Sequence, residues 1–141
     1  MKKSIICLLL LLLAVCLALT ACGGKSNNSA AEPEEPTLEK WMAEHPEQLK
    51  GVQSADGLEY SFKKNTLIYK YDLSITNAQL SEEVAKSDIM KKALEDGITN
   101  GEDTFKGIID NLEKNTGISG INVEIIYTWK DTVLVDRFIT K

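Results

Sequence analysis

The chain has 141 residues, 43% of them hydrophobic, and a formal net charge of −5, which suits one globular domain and leaves little room for a second. The acidic balance argues against nucleic acid as a partner, because such proteins need a basic face that displaces counterions from phosphates. The cysteines are Cys7, Cys16 and Cys22, so neither a disulfide nor a cysteine-based site is expected in the domain that follows.

The first residues have the pattern of a secretory signal peptide. A positive start is followed by an apolar run from Ile5 to Leu19. The run ends in a lipobox, in which small residues admit the chain to the signal peptidase and the cysteine thiol receives a diacylglyceryl group; its residues are Leu19, Thr20, Ala21 and Cys22. We expect a signal peptide over 1–21, a lipid on Cys22 and a lipid-anchored location on the extracytoplasmic face of the cell membrane. The alternative is an uncleaved transmembrane helix, which does not explain a cysteine at the end of the run.

Residues 22–36 are rich in Gly, Ser, Asn, Pro and Glu and show no apolar periodicity. This composition predicts a flexible tether that lifts a single domain, residues 37–141, away from the membrane. We interpret Glu32, Glu34 and Glu35 as solvated tether charges and not as a metal cluster. Loss of Lys2 and Lys3 with the signal peptide takes the net charge to −7, so a lipid and not electrostatic attraction would provide the membrane contact.

The domain is predicted to begin with a short helix at about 38–44. Thr37 is a good N-cap, and Leu38, Trp41 and Met42 form an apolar stripe at helical spacing. Pro46 ends or kinks this helix, and residues 46–50 are a possible second turn.

Two strands are predicted next, because apolar residues alternate with polar ones from Leu58 to Phe62 and from Leu67 to Leu73. A two-residue turn at 64–65 would pair Phe62 with Leu67 and place the large apolar residues on one face. Turn length and alternation therefore predict the same β-hairpin.

A long helical pattern follows from about 81 to 115, with a stop signal at 115–117. Its apolar residues step mostly by three or four: Leu80, Val84, Met90, Leu94, Ile98, Gly101, Phe105, Ile108 and Leu112. Gly97 and Gly101 mark a weak point, where Thr99 and Glu102 would form a capping box if the helix breaks. Because the stripe keeps its phase, we favour one long helix.

Alternation predicts a third strand from Ile121 to Trp129 and a fourth from Val133 to Ile139, joined by a turn at 130–132. The core side of the fourth strand is ambiguous: Val133, Val135 and Ile139 form one set, and Leu134 and Phe138 form the other. The expected fold class is α+β, with a short N-terminal helix and then a ββαββ order. We predict a four-stranded antiparallel sheet packed against one long helix.

The domain resembles an uncharacterised family of small lipoproteins from Gram-positive, largely clostridial bacteria, known only as a domain of unknown function. Short segments spread over nearly all of 37–141 carry the resemblance: Thr37–Trp41, Pro46–Glu47, Asn65–Tyr71, Phe105, Gly117–Ile118, Val123–Tyr127 and Asp131. Thr132 departs from the glycine expected after the turn aspartate. The resemblance implies no catalytic residue and no ligand.

No residue pattern in the sequence indicates catalysis, a metal or a cofactor. The single histidine, His45, does not suffice for the usual zinc site and is interpreted as a residue at a helix end. Glu102 and Asp103 suit a helix start, and Asp131 and Asp136 suit a turn and a strand. Nucleophile elbows, phosphate-binding loops and EF-hand loops are missing from the sequence.

The apolar residues suggest a binding role instead. The long helix covers only one face of the sheet, so Ile68, Ile126 and one of the two sets of the fourth strand need another cover. The first helix with Trp41 provides it, or an apolar patch is left for a partner. We therefore expect a non-catalytic binding or adaptor module for an envelope protein or wall component. The alternatives are a structural or inhibitor-like interaction domain and an unrecognised envelope hydrolase.

Overall fold

The computed structural model describes residues 35–49, 55–77 and 79–141. The predicted signal peptide, the lipobox with Cys22 and the tether up to residue 34 lie outside these residues. In chain order the elements are α1 (Leu38–Glu44), a 3-10 helix (Pro46–Leu49), β1 (Leu58–Lys63), β2 (Thr66–Asp72), α2 (Leu73–Thr76), α3 (Glu82–Ala85), α4 (Asp88–Asn100), α5 (Glu102–Thr116), β3 (Asn122–Trp129) and β4 (Thr132–Ile139). The mixed α+β class is confirmed.

The four strands form one sheet in the order β1-β2-β3-β4. Each hairpin is antiparallel, but β2 and β3 run parallel, with Thr66 beside Asn122 and Asp72 beside Thr128. The prediction of a fully antiparallel sheet is therefore wrong. The reason lies in the connection: the helices between β2 and β3 carry the chain back to the end where β2 begins, so β3 starts there and runs in the same direction.

The first hairpin has the predicted register. Lys64 and Asn65 form a two-residue turn, and Phe62 lies opposite Leu67. Helix α1 packs over this turn: the Leu38 N–H donates to Asn65 Oδ1 at 3.1 Å, and the Lys64 N–H donates to Glu39 Oε2 at 2.7 Å. These bonds satisfy backbone donors at the helix start and in the turn, which fixes α1 at the end of the sheet.

The predicted long helix is broken, contrary to the expectation of one helix. Ser87 caps the start of α4, and Gly101 separates α4 from α5 with φ −97° and ψ 2°. The capping box does not form, because Thr99 Oγ1 donates back to the Glu95 carbonyl at 3.0 Å. Glycine is a poor helix former, so the chain bends at Gly101 while the apolar stripe continues on both sides. The predicted stop is confirmed at Gly117, which has φ +71°.

A β-bulge resolves the ambiguity of the fourth strand. Tyr127 lies opposite Val135 and Thr128 lies opposite Val133, so Leu134 is an extra residue in β4. Leu134 and Val135 are both buried, although they are neighbours. The bulge rotates the strand between them, and each of the two predicted sets is therefore only partly on the core side.

A single core lies between the helices and one face of the sheet. Leu38, Ile109, Ile121, Val123 and Ile125 have at most 1% of their surface exposed. The other core side chains come from the five α-helices, from Ile118 after α5 and from β2, β3 and β4, with half-buried support from β1. The helical layer thus covers one face of the sheet, and the opposite face defines the candidate site.

Candidate binding surface

The face of the sheet that points away from the core is here called the open face. Its residues are Glu59, Ser61, Lys63, Thr66, Ile68, Lys70, Asn122, Glu124, Ile126, Asp136 and Phe138. None of them belongs to the core cluster. Ile68 and Ile126 are half-buried, and Phe138 has 54% of its surface exposed. A phenylalanine is seldom left so exposed, which makes this face the most prominent candidate for binding.

The register of β2, β3 and β4 arranges the open face in rows. In one row Lys70, Ile126 and Asp136 lie side by side. In the next row Ile68 and Phe138 lie on either side of Glu124.

Diagonal neighbours on adjacent strands remain within reach of large side chains. Ile68, Ile126 and Phe138 therefore form a zigzag across β2, β3 and β4. The charged residues Lys70, Glu124 and Asp136 occupy the other positions of these two rows.

Glu124 stands in an unfavourable place for a carboxylate. Burial raises its pKa above the usual range, and the nearby carboxyl of Asp136 raises it further through its charge and a hydrogen bond, while Lys63 opposes the shift. Both effects disfavour the ionised form of the Glu124 carboxyl. A partner that covers the open face would bury Glu124 further and so would change how readily this carboxyl ionises.

The three residues predicted for a partner surface do not lie together. Ile68 and Ile126 are on the open face, but Trp41 packs against the core from α1. The Trp41 ring stacks on His45 with 4.2 Å between ring centroids, and His45 Nδ1 lies 2.8 Å from the Trp41 carbonyl oxygen. Helix α1 therefore does not provide the cover that the sequence left open for Ile68 and Ile126.

The acidic residues considered from sequence have local structural partners or lie apart. Glu102 is in the first turn of α5 and pairs with Lys106 at 2.9 Å, and the Lys106 hydrogen bond lowers the pKa of Glu102. Asp131 lies in the exposed turn between β3 and β4. Within the described ranges, histidine and acidic side chains form no group of three or more suited to a metal ion.

Two polar atoms in the core lack a hydrogen-bond partner among the described residues: the Tyr71 hydroxyl and the Trp129 indole Nε1. Tyr71 stacks on Tyr127 with 5.0 Å between ring centroids. Burial, with smaller contributions from the two neighbouring tyrosines, raises the pKa of Tyr71 far above its usual range. The hydroxyl is therefore desolvated without compensation, which is unusual for a buried polar group.

Sequence reasoning missed Glu124 and Asp136 as parts of this surface and left open whether Phe138 belongs to it. The alternation around Glu124 was visible, since it lies between Val123 and Ile125 on a strand. The position of Phe138 was not, because it depends on the bulge at Leu134.

The sequence profile of a family named for its domain of unknown function, DUF4854, matches residues 35–137. The chain belongs to this family. The match spans α1, the whole sheet except the end of β4, and every helix between them. No curated protein and no solved structure matches the chain significantly.

Within residues 35–49, 55–77 and 79–141, the helices of the DUF4854 domain are too short or too polar to cross a membrane.

Proposed function

We propose that this chain is a lipoprotein held by a lipid on Cys22 at the extracytoplasmic face of the cell membrane. Its DUF4854 domain then acts as a non-catalytic binding or adaptor module, and its partner is a protein of the cell envelope that docks on the open face. The observation that carries the proposal is the zigzag of Ile68, Ile126 and Phe138, which lies outside the core. A contiguous, partly exposed apolar patch with polar neighbours is typical of interaction surfaces.

The anchor rests on the lipobox that ends in Cys22. Diacylglyceryl transfer needs the thiol of this cysteine, whereas Cys16 lies inside the apolar run. We expect Cys22→Ala to abolish incorporation of radiolabelled palmitate, and Cys16→Ala to leave it unchanged. Equal labelling of both variants would contradict lipidation at Cys22.

The docking surface is tested by cross-linking in intact cells that produce the full chain, followed by mass spectrometry. Phe138→Ser removes the most exposed aromatic group of the open face. Ile89→Ser is the matched control, because Ile89 is 85% exposed on helix α4, away from the open face. We expect Phe138→Ser to reduce the cross-linked partner several-fold and Ile89→Ser to leave it unchanged.

Two outcomes would overturn this proposal. One is the same partner yield from Phe138→Ser and from the unaltered chain. The other is a loss with Ile89→Ser as large as the loss with Phe138→Ser, since the partner would then contact the helical side.

A further inference from the structure

In the central part of the open face, the residues on the two sides of strand β3 are chemically matched. On one side of Ile126 lies the cation of Lys70, and on the other side lies the carboxylate of Asp136. In the adjacent row, Glu124 has an apolar neighbour on each side, Ile68 and Phe138. Opposite charges occupy matching positions in one row, and apolar groups occupy matching positions in the other.

Consider a two-fold axis that lies above the open face and runs parallel to β3. Rotation about it places the open face of a second copy against the first, with β2 of one copy over β4 of the other. Lys70 then faces Asp136 of the second copy, and Ile68 faces Phe138 of the second copy. Ile126 lies on the axis and meets its own counterpart. We propose that the protein docked on the open face is a second copy of this chain, in an isologous sheet-on-sheet dimer with its axis along β3.

Each contact away from the axis occurs twice, as a two-fold interface requires, and each residue on the axis meets its own counterpart once. The two Lys70–Asp136 pairs place opposite charges together, and the two Ile68–Phe138 pairs bury the apolar zigzag. Two sheets packed face to face keep their strands within about 30° of each other. The twist of the sheet permits this geometry without a change in the fold.

Glu124 is the residue that makes formation of the dimer depend on pH. It lies on the axis, so the two Glu124 carboxyls approach each other when the copies dock. Asp136 of β4 and Glu59 of β1 add further negative charges, and Lys63 of β1 and Lys70 of β2 are the cations of the same face. Two carboxyl groups at such a short distance cannot both be ionised without a large cost in free energy. The dimer therefore takes up protons and is favoured by acid.

The size of the face indicates a weak dimer. Only β2, β3 and β4 overlap in this arrangement, because β1 has no counterpart beyond β4. Three strands spaced by about 4.8 Å, with three residue rows about 6.8 Å apart, give roughly 300 Å² per copy and about 600 Å² in total. This is below the size of stable interfaces, so the contact is a transient one. Copies anchored in one membrane have a raised effective concentration, which favours such a contact.

This inference rests on the proposed function, in which the open face is a docking surface, and it identifies the docked protein. The test uses the full chain in intact cells. In Ile126→Cys the introduced thiol lies on the two-fold axis, so each copy presents it to the other. A mild oxidant is expected to give a disulfide-linked band of twice the protomer mass, which a reductant removes.

Two controls define the background of random collisions. The unaltered chain reports any linkage through its own cysteines. Asn111→Cys places a thiol on the exposed side of α5, away from the open face. We expect at least about tenfold less dimer from Asn111→Cys. Equal dimer yields from Ile126→Cys and Asn111→Cys would overturn the two-fold contact. A link from the thiol at 126 to a different protein would also overturn it, but would leave the proposed function standing.

Charge exchange provides a second readout in the Ile126→Cys background. Lys70→Asp and Asp136→Lys each place like charges opposite one another and are expected to lower the dimer yield roughly fivefold. The combined variant restores opposite charges with the order reversed and is expected to recover the yield. Loss without recovery would contradict the pairing of these two residues across the axis.

The role of Glu124 is tested in the same background at pH 7. Glu124→Gln removes the facing charges and is expected to raise the dimer yield at least about threefold. Glu124→Lys keeps a pair of like charges on the axis and is expected to give no increase. A rise with Glu124→Lys as large as with Glu124→Gln would overturn the position of Glu124 on the axis.

Discussion

The two faces of the sheet use similar residues for different purposes. On the core face, Val123 and Ile125 are completely buried under the helices. On the open face, Ile126 is only half-buried and lies outside the core cluster, although it follows Ile125 directly. The difference in burial predicts that an isoleucine contributes strongly to stability only where the helical layer packs against it, and that the same residue type on the open face is available for binding.

The sharpest test of this comparison is a pair of adjacent truncations. Ile125→Ala is expected to lower the free energy of unfolding by about 2–5 kcal/mol, because it leaves a cavity in the core. Ile126→Ala is expected to lower it by less than about 1 kcal/mol. Urea denaturation followed by circular dichroism measures both. Similar losses for the two variants would mean that the open face is structurally covered.

Asp72 lies next to the open face but, unlike the residues of that face, is expected to contribute to the stability of the fold. It ends β2, its carboxylate accepts hydrogen bonds from the Ser74 N–H at 2.9 Å and the Lys130 N–H at 3.1 Å, and it caps α2. Burial alone raises the pKa of Asp72, but these hydrogen bonds and that of the Ser74 hydroxyl outweigh it, so its pKa is lowered. Asp72→Ala is expected to lower the free energy of unfolding by about 0.5–2 kcal/mol.

The control is Lys70→Ala, two residues away on the same strand, with an expected change within about 0.5 kcal/mol. The loss in Asp72→Ala should shrink in acid: a lowered pKa means that the stabilisation is present above the ordinary pKa and disappears as the pH falls through the lowered one. If the two variants lowered the free energy of unfolding equally at pH 7, the hydrogen bonds of Asp72 would not contribute to stability.

On the core face, Tyr71 should behave in the opposite way to an ordinary buried polar residue. Its hydroxyl is buried without a partner among the described residues. Tyr71→Phe keeps the ring and its stacking on Tyr127, and is expected to leave the free energy of unfolding unchanged or to raise it by up to about 1 kcal/mol. Thermal denaturation measures the change, and Tyr60→Phe on β1 is the control. A clear loss in Tyr71→Phe would show that the hydroxyl has a partner.

The smallest expected effects distinguish two glutamates by their dependence on pH. The pKa of Glu124 is raised mainly by burial. The pKa of Glu113 is lowered mainly by a hydrogen bond from Lys141, with further bonds from the N–H groups of Ile121 and Gly120 against a smaller effect of burial. The folded state thus binds a proton on Glu124 more tightly, and on Glu113 less tightly, than the unfolded chain does.

For a raised carboxyl pKa, stability falls as the pH rises from the ordinary pKa to the raised one. Glu124→Gln should therefore gain stability relative to the unaltered chain at pH 7 and lose that gain in acid. Glu113→Gln should lose stability at pH 7 and converge with the unaltered chain in acid. Denaturation midpoints between pH 3 and pH 7 test both, and shifts of the same sign would contradict the assigned environments.

Local chemistry in the sequence determined the local elements. Thr37 before an apolar stripe predicted α1, and the two-residue turn with matching alternation predicted the register of Phe62 and Leu67. Gly117 predicted the end of α5. These features involve residues close together in the chain, so short-range sterics and hydrogen bonds decide them. The lipobox ending in Cys22 is of the same kind, and lipidation there stays a prediction.

Tertiary structure decided what depends on distant residues. The direction of β3 beside β2 follows from the path of the intervening helices, and the exposure of Phe138 follows from the bulge at Leu134. Neither is encoded in a short window, because each depends on which surfaces compete for burial in the single core. The sequence by itself thus determined α1, the hairpins and the apolar stripes, and packing determined which of the apolar residues remained on the open face.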